Sequence, residues 1–155
     1  MNDQEIFGFE QDFSGSLRCI PMVVRFKLDH CGVKLTLRQW SRFSVDERRQ
    51  LVEGPCASAG EIAAYRQVLR QLIVARMGEP AQDVALDPHP AWRDTTEVPL
   101  PVDHQARARG LLPPTQERWA RLTPLQRFAL LKLTREGHDN ANFEPALREF
   151  GACPA

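Results

Sequence analysis

Apolar residues Ile62, Tyr65, Val68, Leu69, Leu72 and Ile73 recur at helical spacing, and the stem of Arg76 continues the line. Ser58 followed three residues later by Glu61 makes a capping box, so a helix is predicted from just after Ser58 to Met77, stopped by Gly78. Ser44 with Glu47 repeats the signal ahead of a helix ending near Gly54. Thr123 with Gln126 repeats it again, with Pro124 at the first helical position. That third helix should run to about Arg135 and stop before Gly137. Its Leu125, Phe128, Ala129, Leu130, Leu131 and Leu133 wrap most of the circumference, which predicts a buried central helix. A last, shorter helix is predicted over 143–150, capped by Asn142 and closed by Gly151.

The segment 20–31 supports two readings. Val24, Phe26 and Leu28 alternate with charged residues as a strand would, and 33–37 alternates again, so a hairpin turning over 29–32 fits. A helix also fits, because Pro21 suits a helix start and Gly32 the left-handed position past its end. A second copy of the pattern favours the helix. Val98-Pro99 leads to Gly110 with the same spacing as Ile20-Pro21 to Gly32, and the residues between have no strand character. Each glycine is followed by a brief helix bearing Trp40 or Trp119, then by a capping-box helix.

The chain therefore reads as one helical unit written twice. Related halves span 20–78 and 98–151, joined by a strap over 79–97 that Val84, Leu86 and Trp92 are expected to pack down. An irregular arm over 1–15, carrying Phe7, Phe9 and Phe13, is expected to lie on the core. The expected fold is all-α: a single compact helical domain over 1–155, with about seven or eight helices built from two related halves.

Bulk properties narrow the function classes. A chain of 155 residues can bury a real core without staples. Twenty basic residues balance twenty acidic ones, and no basic stripe forms, so nucleic acid is not an expected partner. No apolar run approaches the roughly 20 residues of a membrane span, so no membrane partner is expected either. Residues 1–5 lack the basic and apolar regions of a secretory signal, and the four cysteines are widely spread. These features set the expectation of a cytoplasmic protein with reduced thiols.

Candidate chemistry is sparse. No phosphate loop, dinucleotide fingerprint, zincin helix or nucleophile elbow occurs, so no catalytic residue is assigned and no enzyme is expected. Cys19 and Cys31 flank the first predicted helix, about 18 Å apart along it, and cannot share one metal. Cys31 with Cys56 and His30 stays open as a thiol or metal set, although the spacing is not that of a strong metal motif; the plainer reading is small buried apolar groups or inert surface thiols. Arg18, Arg25, Lys27 and Asp29 form either a charged recognition patch or a solvated helix face. The polar loop from His138 to Asn142 is a contact loop, an acid/base pair, or simply the cap of the last helix, through Asn140 or Asn142, with the rest solvated. His89 and His104 carry no assigned role. Arg48 and Arg127 hold matching positions eight residues after each tryptophan, which predicts a structural task such as bonding exposed carbonyls of the opposite copy.

The string FGFEQDF, the following SLRCIPMVVRFKLDHCGVKL, and the later TPLQRFALLKL and NFEPALREFG resemble the nitrate reductase-associated protein family over about residues 6–151. The motif maps onto Arg18, Cys19, Pro21, Arg25, Lys27, Asp29 and Gly32, and the second copy departs from it at every charged position. The resemblance implies an accessory protein that supports assembly, cofactor acquisition or activity of a molybdenum-dependent assimilatory nitrate reductase by protein–protein binding. Its implied partners are that reductase or the molybdenum-cofactor machinery, with no cofactor of its own and no catalytic residues carried over. The residues expected at the partner surface are Arg18, Cys19, Arg25, Lys27, Asp29, His30, Cys31, His138 and Asn142. The alternative is a small metal- or cofactor-binding protein using Cys19, Cys31 or Cys56.

Overall fold

A computed structural model describes residues 6–13, 17–135 and 141–153. Among the described residues are eight α-helices, two 3-10 helices and no strand, which bears out the all-α expectation. The chain divides into two compact units, Met1–Asp87 and Pro88–Ala155, and the division falls inside the segment expected as a strap.

The first unit opens with a 3-10 helix, Gly8–Phe13, preceded by a buried Phe7 whose ring stacks on Phe9 at 5.5 Å. Next comes α1 (Met22–Cys31), so the hairpin reading of this segment does not hold. Pro21 sits at the N-cap, one residue earlier than expected, and Gly32 ends the helix at φ 69° with its N–H on Leu28 O. The strand-like alternation that follows has its own outlet. Val33 forms an isolated antiparallel bridge with Asp83, flanked by Lys34 N to Gln82 O and Val84 N to Gly32 O, both at 2.8 Å. Gly32 is required twice over. Its backbone is left-handed, and a Cβ there would stand 3.0 Å from Val84 O and 3.2 Å from the Leu86 side chain.

Three capped helices complete the unit. They are α2 (Leu37–Arg42), α3 (Val45–Glu53) and α4 (Ala59–Met77), opened by reciprocal boxes of Thr36 with Gln39, Ser44 with Glu47, and Ser58 with Glu61. The helix α4 packs on α1, α2 and α3 with a line narrower than its periodicity suggests: Tyr65, Leu69 and Ile73 are buried, while Ile62, Val68 and Leu72 are half-buried. Arg76 contributes its charge rather than its stem, donating from Nε and Nη2 to Glu47 at 3.0 and 2.9 Å. Full burial of a side chain such as Leu69 or Ile73 stabilises by about 1.5–3 kcal/mol.

Val84 and Leu86 do not pack down as expected. They are 44% and 55% exposed, because backbone pairing with 32–34 holds this part of the connection instead. Trp92 is buried, in the 3-10 helix Ala91–Arg93 of the second unit.

That second unit contains α5 (Leu100–Ala108), α6 (Gln116–Arg121), α7 (Pro124–Lys132) and α8 (Phe143–Glu149). The helix α7 is the buried centre the sequence predicts, with every residue from Leu125 to Leu130 buried and neighbours in α5, α8 and the Trp92 turn. It stops at Lys132, earlier than expected, where Leu133 N bonds Ala129 O and Thr134 Oγ1 bonds Leu131 O. Asn142 stands at the N-cap of α8, but its side chain makes no capping bond, so the capping role expected of it is corrected. His138 and Asn140 lie outside the described residues.

Candidate functional site

The helix carrying the motif is α1, and two buried ionisable groups, Glu10 from the arm and its own Lys27, tie it to its surroundings. Its N-cap is a proline with no side-chain acceptor, so the first amides need a partner from elsewhere. Glu10 supplies it. This carboxylate is 3% exposed and accepts from Met22 N at 2.8 Å through Oε2 and from Phe7 N at 3.2 Å through Oε1. A negative charge at a helix N-terminus is the favourable sign. Sequence reading missed it because the bond spans twelve residues, outside any local capping pattern.

Lys27 does the reverse at the end of α3. Its side chain is 2% exposed, and Nζ donates to Val52 O at 2.6 Å and Gly54 O at 2.7 Å. Tyr65 of α4 joins it, with its hydroxyl on Leu51 O at 2.7 Å and its ring 5.7 Å from the ammonium. The carbonyls left open where α3 stops are therefore met by a cation from α1 and a phenol from α4. Burial drives the Tyr65 pKa well above its usual value, helped by nearby Cys56 and then Cys31, so the phenol stays a donor.

The cysteines separate by environment. Cys31 is buried at the end of α1, with Sγ 3.8 Å from Leu28 O, and burial raises its pKa, only partly offset by the Val33 amide and Arg66. A protonated, enclosed thiol is a poor nucleophile and a poor metal ligand. Cys56 is also buried, with Sγ 3.8 Å from Lys27 O. Cys19 is half-buried ahead of α1. Among the described residues no group of three or more His, Cys, Asp or Glu is arranged to hold a metal ion.

The residues expected at a partner surface scatter in depth. Arg18 and Asp29 are exposed; Cys19, Arg25 and His30 are half-buried; Lys27 and Cys31 are interior. Lys27 is thus neither part of a charged patch nor of a solvated face, because its ammonium is spent on carbonyls. Arg25 turns Nε to Ile20 O at 3.1 Å, and His30 holds Nδ1 2.7 Å from Phe26 O, which makes Nδ1 the protonated nitrogen. Asn142 is half-buried in the second unit, and His138 lies outside the described residues.

The paired arginines bind carbonyls, as expected, but within their own unit rather than across to the opposite copy. Arg48 reaches Trp40 O at 3.1 Å and Ser41 O at 3.0 Å. Arg127 reaches Trp92 O at 2.7 Å and also Leu122 O. The tryptophans behave alike: Trp40 Nε1 donates to Leu17 O at 2.6 Å and Trp119 Nε1 to Asp94 O at 2.9 Å. In each unit the accepting carbonyl lies just upstream of the helix-opening proline.

Among the described residues no helix is long and apolar enough to cross a membrane. No curated protein and no solved structure matches the chain. The sequence matches the family described as conserved nitrate reductase-associated protein over residues 6–150, an interval that takes in both Glu10 of the arm and the α1 motif. The chain belongs to that family.

Proposed function

We propose that this protein is an accessory factor of a molybdenum-dependent assimilatory nitrate reductase, acting by binding the reductase or its cofactor-supply machinery rather than by turning over a substrate. Family membership supplies the association with nitrate reductase. The observation that carries the non-catalytic part is the use of the buried charges. Glu10, Lys27 and Arg127 all bond backbone groups that helix ends and turns leave open, which gives them structural tasks. The test is a titration of purified protein against cofactor-free nitrate reductase, under reducing conditions at near-physiological salt. A complex is expected, together with faster or fuller activation when cofactor is supplied. Absence of both would overturn the reading. We take the cytoplasm as its compartment; cell fractionation that finds it elsewhere would remove that part.

We also infer that the two units descend from one helical module. Support comes from the shared order of a proline-opened helix, a left-handed glycine, a short tryptophan helix and a capping-box helix bearing a carbonyl-binding arginine. Failure of α1–α3 to superpose on α5–α7 in an experimental structure would count against it.

A further inference from the structure

The side of α4 opposite Tyr65, Leu69 and Ile73 presents Ala63, Ala64, Gln67, Gln71, Val74 and Ala75, all exposed. None of them is ionisable. Exposed positions on other helices differ: Asp46, Arg49 and Glu53 on α3, Glu117 and Arg121 on α6, Arg148 and Glu149 on α8. In a chain with 26% charged residues, a solvated helix face is expected to carry charge. A face without ionisable side chains and bordered by arginines matches the depletion of charge and the enrichment in arginine that mark interface centres. A shallow groove of about 540 Å³ runs along it, and Val74 is 51% exposed there.

The edge of this face carries a charge surplus. Arg66 donates to Asp83 Oδ1 at 3.0 Å, and Arg70 donates to the same oxygen. One carboxylate thus serves two guanidiniums, whose side chains remain 41% and 39% exposed. We propose that this face docks an amphipathic helix of the partner protein, with aliphatic side chains seated against the alanines and carboxylates along the Arg66–Arg70 edge. The 19-residue length of α4 and its small side chains permit close helix-on-helix packing. A second copy of this chain fits less well. An antiparallel two-fold pairing of α4 would bring both arginine edges to the same side, four guanidiniums to two carboxylates, and a parallel one would align two helix dipoles in the same sense.

This inference rests on the accessory reading, and the same probe, cofactor-free nitrate reductase, separates the two. Val74→Glu in the full chain should weaken binding at least about tenfold without moving the thermal transition, since the side chain is exposed. Arg66→Gln with Arg70→Gln should weaken it several-fold and flatten its salt dependence. If wild type and Val74→Glu bind alike, this face is not the dock, although the accessory reading stands. A dimer of the free protein that Val74→Glu dissociates would make a second copy the occupant and overturn the proposal. If wild type neither binds the reductase nor speeds its activation, both readings fall together.

Discussion

The ammonium of Lys27 lies 2.7 Å from the carbonyl oxygen of Gly54, joining the middle of one helix to the end of another across 27 residues of chain. This bond, with its companion to Val52 O, sets the corner where α3 gives way to α4. Replacing Lys27 by Met keeps the volume and removes the donor. Buried carbonyls left open in this way cost about 1–3 kcal/mol. The denaturant midpoint of the first unit should fall accordingly. An unchanged midpoint would mean that the carbonyls find other donors.

Glu47 ties stability to pH. Its pKa is lowered, first by the Arg76 hydrogen bond and then by the Ser44 amide, from the ordinary 4.5. A carboxyl group depressed in the folded state stabilises above its unfolded pKa, and that contribution is lost as pH falls through the folded value. The loss should therefore develop below about pH 4.5. Arg76 is exposed, so solvent screening keeps its part small. In urea titrations between pH 6 and pH 3, Arg76→Gln should lower stability at the upper end and shrink the acid-side drop. A pH profile parallel to wild type would refute this assignment.

Thiol labelling should report burial directly. Cys31 and Cys56 are enclosed, and burial raises the Cys31 pKa, whereas Cys19 and Cys153 are only partly covered. In the native protein at pH 8, a thiol reagent should modify Cys19 and Cys153 well before Cys31 and Cys56, with all four reacting in denaturant. Rapid native modification of Cys31 would show that α1 opens readily.

Gly32 and Gly78 have nearly the same left-handed backbone, φ 69° and 71°, but only Gly32 has Val84 and Leu86 against it. Gly78→Ala should cost about 1 kcal/mol from the backbone alone. Gly32→Ala should cost more, and faster amide exchange at Lys34 and Val84 should accompany it, because their bonds to Gln82 and Gly32 would be displaced. Equal effects at the two glycines would mean that the strap contact contributes nothing.

Local chemistry made much of this molecule readable in advance. The boxes at Ser44, Ser58 and Thr123 and the stops at Gly32 and Gly78 mark helix ends with bonds spanning three or four residues, so the pattern and its partner sit in the same window of sequence. The burial of α7 was likewise legible, because apolar groups around a whole circumference have no solvated side.

The charged residues were decided only by the assembled chain. Lys27 looks like a surface residue until Val52 and Gly54 are beside it, and Glu10 until Met22 is; for Arg127 the repeated spacing announces a carbonyl-bonding task but not that Trp92 supplies the carbonyl. Those partners lie 12 to 35 residues away, and an open carbonyl or amide leaves no mark in side-chain sequence. The outward side of α4 was settled in the same way. Its periodicity marks a helix, but which neighbours cover which side depends on how α1, α2 and α3 pack around it.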